Sequence, residues 1–256
     1  MSETPQPDSK PKRHWYQFHL RHLFILTLVV AIVCACLASF WTWYLRPKVE
    51  FCRTFALIRE FGGEVRDFDI DPGLGVATIT SVSFFEKPLN DTDLERLEET
   101  FKGLPRLTRL NLFGTKITDA GLKHLGCLPQ LRDLVLEKNQ ITNAGLEHLS
   151  KLKGLTALNL DRTEVGNAGL EHLKGLTNLE RLFLNGTQVS DAGLEHLQGM
   201  NKLELLLLNG TKVTDAGLLH LKELTELKYL DLEDTQVSNV GVKKLQQALP
   251  NCNVWR

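Results

Sequence analysis

Five histidines recur every 24 residues and form the most regular set of side chains that could bind a metal ion or carry a proton. The set consists of His124, His148, His172, His196 and His220, with Lys244 at the equivalent sixth position. The pattern places them on successive helices about 8–10 Å apart, whereas the ligands of one zinc ion converge to about 2.0–2.1 Å from it. No column of acidic or cysteine residues accompanies them. The sequence therefore favours a structural or helix-flanking role over a metal site, with a pH-sensitive surface as the remaining alternative.

The other reactive side chains form no catalytic or cofactor-binding pattern. The chain has no G-x-S-x-G, H-E-x-x-H, phosphate-loop or G-x-G-x-x-G sequence. Its cysteines share no C-x-x-C spacing, which disfavours a zinc site and a disulfide framework. They are Cys34, Cys36, Cys52, Cys127 and Cys252. The formal net charge of -1 argues against nucleic-acid binding, because phosphate recognition needs a basic excess. We expect a protein that is not an enzyme and that uses no metal or cofactor.

The elements that carry the histidines are six gapless copies of a 24-residue repeat. The first copy, Leu107 to Gln130, reads LTRLNLFGTKITDAGLKHLGCLPQ. The others begin at Leu131, Leu155, Leu179, Leu203 and Leu227. All share the template L-x-x-L-x-L-x-x-[TN]-x-[IV]-x-[DN]-x-G-[LV]-x-x-L. A constant period of this length predicts a stack of identical units, since each copy can bury its apolar face only against its neighbours.

Each copy predicts a strand followed by a turn and a helix. In the first copy, Leu110 and Leu112 point into the core, and Asn111 between them points outward. Strands in a parallel stack lie about 4.8 Å apart while packed helices need about 8–10 Å, so the array must curve. The predicted fold class is α/β: a curved solenoid with parallel strands on its concave face and helices on its convex face.

Three polar or small positions are repeated with the leucines. The residue after the strand is expected to bond to the turn backbone; it is Thr115, Asn139, Thr163, Thr187, Thr211 or Thr235. An acidic or amide residue is predicted as the helix N-cap; it is Asp119, Asn143, Asn167, Asp191, Asp215 or Asn239. A glycine two residues later lies in the first helical turn, at positions 121, 145, 169, 193, 217 and 241. Close packing of helix on strand is expected to offset its cost of about 1 kcal/mol relative to alanine.

This repeat resembles that of leucine-rich repeat proteins, and its T-D-A-G-L segment is similar to the ribonuclease-inhibitor-like branch of that family. The resemblance covers Leu107 to about Leu249, with a weaker extension back to Ile79. The chain departs from that branch in its shorter repeat and in having threonine where asparagine or cysteine is usual. Its arrangement also resembles small membrane-anchored repeat proteins of bacteria. The resemblance implies binding of protein or other macromolecular partners on the concave face and implies no chemistry.

Candidate binding residues are the outward strand positions, because these differ between copies. Toward the carboxyl end they become apolar and are flanked by polar residues, which often marks a partner site. The candidate residues are Phe183, Asn185, Leu205, Leu207, Asn209, Tyr229, Asp231 and Glu233. The leading hypothesis is an interaction module that binds a protein partner there. The alternative is a structural or assembly protein that forms homo-oligomers through the sheet face or the ends of the solenoid.

The amino-terminal part predicts a membrane anchor. Residues 23–45 contain no Asp, Glu, Lys, Arg or His, and as a helix they would extend about 35 Å, enough to cross a bilayer core of about 30 Å. A signal peptide cleaved near Ala38 and a buried helix are the alternatives; the apolar run is long for the first, and the second would need a polar face. Residues 1–22 predict a flexible basic tail in the cytoplasm, which leaves the repeats on the outer, extracytoplasmic side.

Atypical segments are expected at both ends of the array, because the terminal copies lack a neighbour. Residues 46–106 predict a capping helix near Val49 to Phe61, a β element and a degenerate first repeat that begins near Ile79. Residues 107–256 hold the six repeats and a carboxyl-terminal cap. The last segment, Leu249 to Trp255, is predicted to add an edge strand, with Trp255 shielding the last core layer.

Overall fold

The computed structural model describes residues 30–41, 46–70 and 77–256. The chain divides into two compact units, Met1–Phe51 and Cys52–Arg256. In the first unit, residues 30–40 are helical. Across the described ranges, no helix is both long enough and apolar enough to cross a membrane. The predicted tail of residues 1–22 lies outside the described residues, as do residues 23–29 and 42–45 of the predicted span.

The second unit is built on one nine-stranded sheet in which the strands are ordered as in the sequence. The strands are β1 (Glu64–Ile70), β2 (Ala77–Ser83), β3 (Arg109–Asn111), β4 (Asp133–Val135), β5 (Ala157–Asn159), β6 (Arg181–Phe183), β7 (Leu205–Leu207), β8 (Tyr229–Asp231) and β9 (Asn253–Trp255). Strand β1 is antiparallel to β2, and every later pairing is parallel. The predicted parallel α/β solenoid is therefore confirmed.

The core consists of leucine columns that run through the stack. The strand register pairs Leu110 with Leu134 and continues in steps of one repeat as far as Leu230. These leucines are at most 1% exposed, and so are the next inward residues, such as Leu112. Burial of one large aliphatic side chain stabilises a fold by about 1.5–3 kcal/mol. The repeated leucines thus account for the regular stacking.

Short helical segments lie opposite the strands in the repeats. They are Asp119–Leu122, Leu146–Leu149, Asn167–Leu173, Asp191–Leu194, the 3₁₀ turns Glu195–Leu197 and Gly217–Leu221, and the longer helix Asn239–Ala248. The residues between one strand and the next leave room for only one or two helical turns, and 3₁₀ geometry covers the same distance with fewer residues. The predicted helices are therefore present in shortened form.

The repeated aspartate does not cap its own helix, so the N-cap prediction is wrong in detail. In the first copy the cap is Thr118, whose hydroxyl accepts from the Ala120 amide at 3.3 Å, and Asp119 is the first helical residue. The Asp119 carboxylate instead reaches the next copy, where it accepts from the Thr142 amide at 2.8 Å and from the Thr142 hydroxyl at 2.6 Å. Each such carboxylate joins two consecutive repeats.

The repeated glycine is required by the same link. A Cβ atom at Gly145 would overlap the Asp119 carboxylate of the preceding copy. Gly217 and Gly241 stand in the same relation to Asp191 and Asp215. The expected cause, close packing of helix on strand, is thus corrected: the space is taken by the side chain of the neighbouring repeat.

Both ends of the array have their own closing elements. At the amino end, the helix Arg46–Glu60 precedes the β1–β2 hairpin in the chain and the helix Asp91–Lys102 follows it. Ile58, Phe84 and Phe101 are fully buried there, and the two aromatic rings meet edge to face at 6.4 Å. The helix Asp91–Lys102 begins with a complete capping box.

Asp91, the first residue of the helix Asp91–Lys102, already forms the link that the later copies repeat. It accepts from the Thr118 amide at 2.8 Å and from the Thr118 hydroxyl at 2.6 Å. At the other end, the Arg256 guanidinium donates to the Asn239 side chain at 2.7 Å and to the Val237 carbonyl. In the sixth copy, Asn239 therefore contacts Arg256, whereas the equivalent residues of earlier copies contact the next repeat.

Candidate functional site

The eight residues proposed from the sequence lie on three neighbouring strands, β6 to β8, and on the turns that follow them. The register places Phe183 beside Leu207, and Leu205 beside Tyr229. Side chains two residues apart on a strand share a face, so the four form one contiguous surface. The structure thus brings together the apolar residues that the alternation of the repeats had indicated.

This surface is accessible, in contrast to the residues between its members. Tyr229 is 44% exposed, and Phe183, Leu205 and Leu207 are each half-buried. Leu206, which lies between two of them, is completely buried. These partly or fully exposed apolar side chains therefore lie outside the buried leucine core.

Trp255 belongs to the same surface, which corrects its predicted position over the last core layer. It is 42% exposed and lies beside Asp231 in the pairing of β8 with β9. Its ring stacks on Tyr229, with 5.8 Å between centroids and 22° between planes. The alternation in β9 explains this, because Val254 pairs with the core residue Leu230 and so turns Trp255 outward. Phe183, Leu205, Leu207, Tyr229 and Trp255 are called the apolar cluster below.

A ladder of amide and carboxylate side chains borders the cluster. The Asn185 amide groups donate to the Asp161 carboxylate at 2.6 and 3.0 Å. The Asn209 backbone donates in turn to the Asn185 side chain at 2.8 Å, and the Asn209 side chain donates to Glu233 at 3.4 Å. Burial raises the pKa of the Asp161 carboxyl above its ordinary value. Asn185 and Asn209 therefore hold the turns together and are already engaged.

Two acidic side chains of the proposed site have no basic partner in the part of the chain that the structure describes. The Asp231 carboxylate accepts from the Glu233 amide at 2.9 Å. Within the part of the chain that the structure describes, neither Asp231 nor Glu233 forms an ion pair. These carboxylates lie at the edge of the apolar cluster with their charge available.

The amino-terminal half of the same sheet face carries a charge network that the sequence analysis missed. Asp133 accepts from Arg109 at 3.2 Å and from Arg181 at 3.0 Å. Arg181 lies two strands away from Asp133 and reaches it across β5, where the outward residue is the small Ala157. No local pattern signals a pair 48 residues apart; only the strand register brings it together.

The histidines contact different partners. His124 is 7% exposed, and its Nδ1 lies 2.6 Å from a Glu98 carboxylate oxygen. Lys102 and His124 lower the pKa of Glu98 to about 2. The Nδ1 atom of His220 lies 2.9 Å from the Gln198 side-chain nitrogen. Among the described residues, no group of three or more His, Cys, Asp or Glu side chains could hold a metal ion.

The cysteines form no disulfide within the described residues. Cys252 is buried beneath the carboxyl-terminal end of the array, and burial raises the pKa of its thiol to about 11. Burial is also the main cause of the raised pKa of the Cys127 thiol. Both thiols are thus held in the neutral form at physiological pH, in which they are poor nucleophiles.

The family model for the leucine-rich repeat matches residues 104–126, 128–150 and 223–245. The leucine columns and the parallel stack agree with these matches. The chain contains leucine-rich repeats. No curated protein sequence matches it significantly.

Solved structures with a similar fold include two internalins of Listeria monocytogenes. For the internalin inlF the TM-score is 0.57 and the identity 21%, over 69% of this chain and 47% of that one. For internalin C2 the TM-score is 0.52 and the identity 24%, over 78% of this chain and 90% of that one. A leucine-rich repeat protein of Leptospira interrogans has a TM-score of 0.50 at 21% identity, over 61% of this chain and 44% of that one.

These likenesses concern the fold alone. This leucine-rich repeat protein spans about half the length of inlF. The finer resemblance to the ribonuclease-inhibitor-like branch and to membrane-anchored proteins stays a prediction from the sequence.

Proposed function

We propose that this leucine-rich repeat protein is a binding module that contacts a protein partner through the apolar cluster on its sheet face. The observation that carries the proposal is the contiguity of five apolar side chains, two exposed and three half-buried, beside a complete leucine core. Exposed apolar surface bordered by polar groups is typical of interaction sites, and aromatic residues supply much of the binding energy at protein interfaces. The proposed role involves no catalytic step.

The other half of the sheet face is a weaker candidate because its charges are already paired. Asp133 forms ion pairs with Arg109 and with Arg181. A partner would have to compete with these contacts. Burial of charged groups is costly unless each keeps a partner of opposite charge. The contact surface is therefore assigned to strands β6 to β9.

Site-specific photo-crosslinking tests this assignment. A photo-crosslinking amino acid at Leu207 is expected to capture a partner protein in cells that express the full-length chain. The matched control position is Leu219, which is 56% exposed on the helical side. Capture of the same protein from both positions, or no capture from Leu207, would contradict the proposal.

We propose further that residues 23–45 hold the chain in a membrane. The support is the absence of Asp, Glu, Lys, Arg and His from this stretch of 23 residues. The full-length protein should then stay in the membrane pellet after alkaline carbonate extraction. Two lysines near the middle of the stretch, in a Val33→Lys plus Ala35→Lys variant, should release it, since each lysine at a span centre costs about 2.5–3.5 kcal/mol. If alkaline carbonate released the unaltered protein from the membrane pellet, the membrane proposal would be wrong.

The proposed orientation keeps the amino terminus in the cytoplasm and the repeats outside. It rests on the short basic tail, whose charge resists transfer across the membrane. Protease added to intact spheroplasts should digest the repeats and spare a tag at the amino terminus. Protection of the repeats in intact spheroplasts, with digestion after lysis, would reverse the orientation.

A further inference from the structure

We infer that the partner segment bound at the apolar cluster presents a lysine or arginine side chain beside its apolar residues, and that Tyr229, Asp231 and Trp255 receive this cation. The inference rests on the proposed function and specifies the chemistry of the partner. It is carried by the geometry of strands β8 and β9 and by the charges around them.

The three receiving side chains are immediate neighbours. Tyr229 and Asp231 are two residues apart on β8 and therefore share the outward face. Asp231 is in register with Trp255 on β9. The stacked rings of Tyr229 and Trp255 thus stand beside one carboxylate. Aromatic faces attract ammonium and guanidinium groups, most strongly for tryptophan, and a carboxylate beside them adds direct attraction.

Within residues 30–41, 46–70 and 77–256, no basic side chain forms an ion pair with Asp231. The two basic residues nearest in sequence are committed elsewhere: Lys228 binds Glu204 at 2.7 Å, and Arg256 donates to Asn239 and Val237. Arg181, on β6, binds Asp133. The carboxylate of Asp231 therefore has no basic partner among the described residues, unlike Asp133 on the same sheet face, which has two.

Docking on the apolar cluster would remove water from Asp231. A carboxylate that loses its water without gaining a cation opposes binding, so a neutral partner segment is disfavoured. An acidic segment would add repulsion from Asp231 and Glu233. The apolar cluster attracts apolar side chains of the partner, and the Asp231 carboxylate makes binding selective for a partner segment with a positive charge.

Four fluorescein-labelled nine-residue peptides test the inference with the full-length protein. The first has a central lysine between leucine and phenylalanine in a glycine and serine background. In the second and third, norleucine or glutamate replaces the lysine. In the fourth, serines replace the leucine and phenylalanine. Affinity is measured by fluorescence anisotropy at low and at physiological ionic strength.

The lysine peptide is expected to bind about tenfold more tightly than the norleucine peptide and to lose part of this preference at higher salt. The double variant Asp231→Asn plus Glu233→Gln should reduce the preference to less than about twofold by removing the charge. Asparagine keeps the oxygen that accepts from the backbone at 233, so the fold is preserved. The control Glu147→Gln plus Glu171→Gln, on the helical side, should leave the preference unchanged.

The possible outcomes separate the inference from the proposed function. Equal affinity for lysine and norleucine peptides, lost in a Leu207→Glu variant, overturns the inference and leaves the contact surface standing. Tighter binding of the glutamate peptide, no binding of the lysine peptide at millimolar concentration, or a lysine preference that survives the double variant also overturns it. If the Leu207→Glu variant binds the peptides as tightly as the unaltered protein does, both the proposed contact surface and the inference are wrong.

Discussion

At the scale of single residues, the pair of an acidic side chain and a glycine links each repeat to the next. Asp119 binds the amide and hydroxyl of Thr142, and its carboxylate lies over Gly145. The first hydrogen bond satisfies an amide at the start of the next helical segment, and the second fixes the stacking offset between copies. The glycine is conserved between copies here because a methyl group has no space.

We predict that Asp119 and Gly145 are energetically coupled. The Gly145→Ala variant should lower the free energy of unfolding by about 1–3 kcal/mol through overpacking against the carboxylate. The Asp119→Ala variant should lower it by a similar amount, about 1–3 kcal/mol, through the two lost hydrogen bonds. The double variant should cost less than the sum, since removal of the carboxylate makes room for the methyl group. Urea unfolding of the four proteins measures the coupling.

The matched control for this cycle is Gly175→Ala. There the new methyl group would meet only the flexible end of the Lys153 side chain, so the change should stay within about 0.5 kcal/mol. Strictly additive costs at Asp119 and Gly145 would show that the glycine has a different cause.

A second residue-scale prediction concerns Glu98, which joins the helix Asp91–Lys102 to the first repeat through His124 and also pairs with Lys102 of its own helix. Its pKa is lowered to about 2 from an ordinary 4.5. The stabilisation is therefore present above about pH 4.5 and is lost as the pH falls toward about 2. At neutral pH the Glu98→Gln variant should unfold with about 1–2 kcal/mol less free energy than the unaltered protein, and this difference should shrink across that acidic window.

Glu99 provides the control, because it also contacts Lys102 at 2.7 Å but has a side chain that is 84% exposed. The Glu99→Gln variant should change stability by less than about 0.5 kcal/mol, as for other exposed ion pairs. The measurement is urea unfolding between pH 2 and 7. A Glu98→Gln difference that does not depend on pH would argue against the ion-paired state.

At the scale of elements, the strands decide which residues of an apolar run are core and which are surface. The run Leu205 to Leu208 shows no alternation of its own. The parallel register pairs Leu206 with the core residues Leu182 and Leu230. Leu205 and Leu207 consequently face outward.

We predict that substitutions of two neighbouring leucines affect different properties, stability at Leu206 and partner binding at Leu207. The Leu206→Ala variant should lower the free energy of unfolding by about 2–5 kcal/mol, because it opens a cavity in the stack. The Leu207→Ala variant should change it by less than about 1 kcal/mol, while weakening the binding of the partner. Chemical unfolding together with a binding assay measures both effects. Equal destabilisation by the two substitutions would mean that the outward face of β7 is covered within the protein itself.

At the scale of the whole molecule, each repeat contacts mainly its neighbours. The leucine columns and the aspartate links both connect consecutive copies, and Asp91 and Arg256 complete the links at the two ends. Such arrays need closed ends, because an unpaired terminal repeat exposes its core. The closed ends favour a binding role on the sheet face over assembly through the ends of the solenoid.

We predict that the full-length protein, in detergent micelles, is a monomer at micromolar concentration. The reason is that the link positions at both ends of the array are occupied within the chain, through Asp91 at one end and Arg256 at the other. Light scattering with correction for bound detergent measures the protein mass. A concentration-dependent dimer that disappears in a Leu207→Glu variant would assign the cluster to self-association.

The amino-acid sequence by itself determined the repeat, the strand columns and the outward position of Phe183, Leu205, Leu207 and Tyr229. These follow from spacing within one copy, since a period of two along a strand and a fixed period of 24 residues leave little choice of backbone. The threonine bonds to the turn followed in the same way; Thr163, for example, donates to the Leu160 carbonyl at 2.6 Å.

Only the tertiary structure decided the contacts between copies. The acceptor role of Asp119, the pairing of Arg181 with Asp133 and the stacking of Trp255 on Tyr229 join residues 23 or more positions apart. Their geometry depends on the offset between stacked repeats, which no pattern within one copy encodes. The lack of a basic partner for Asp231 among the described residues has the same origin, because the stack directs Arg181, Lys228 and Arg256 to other partners.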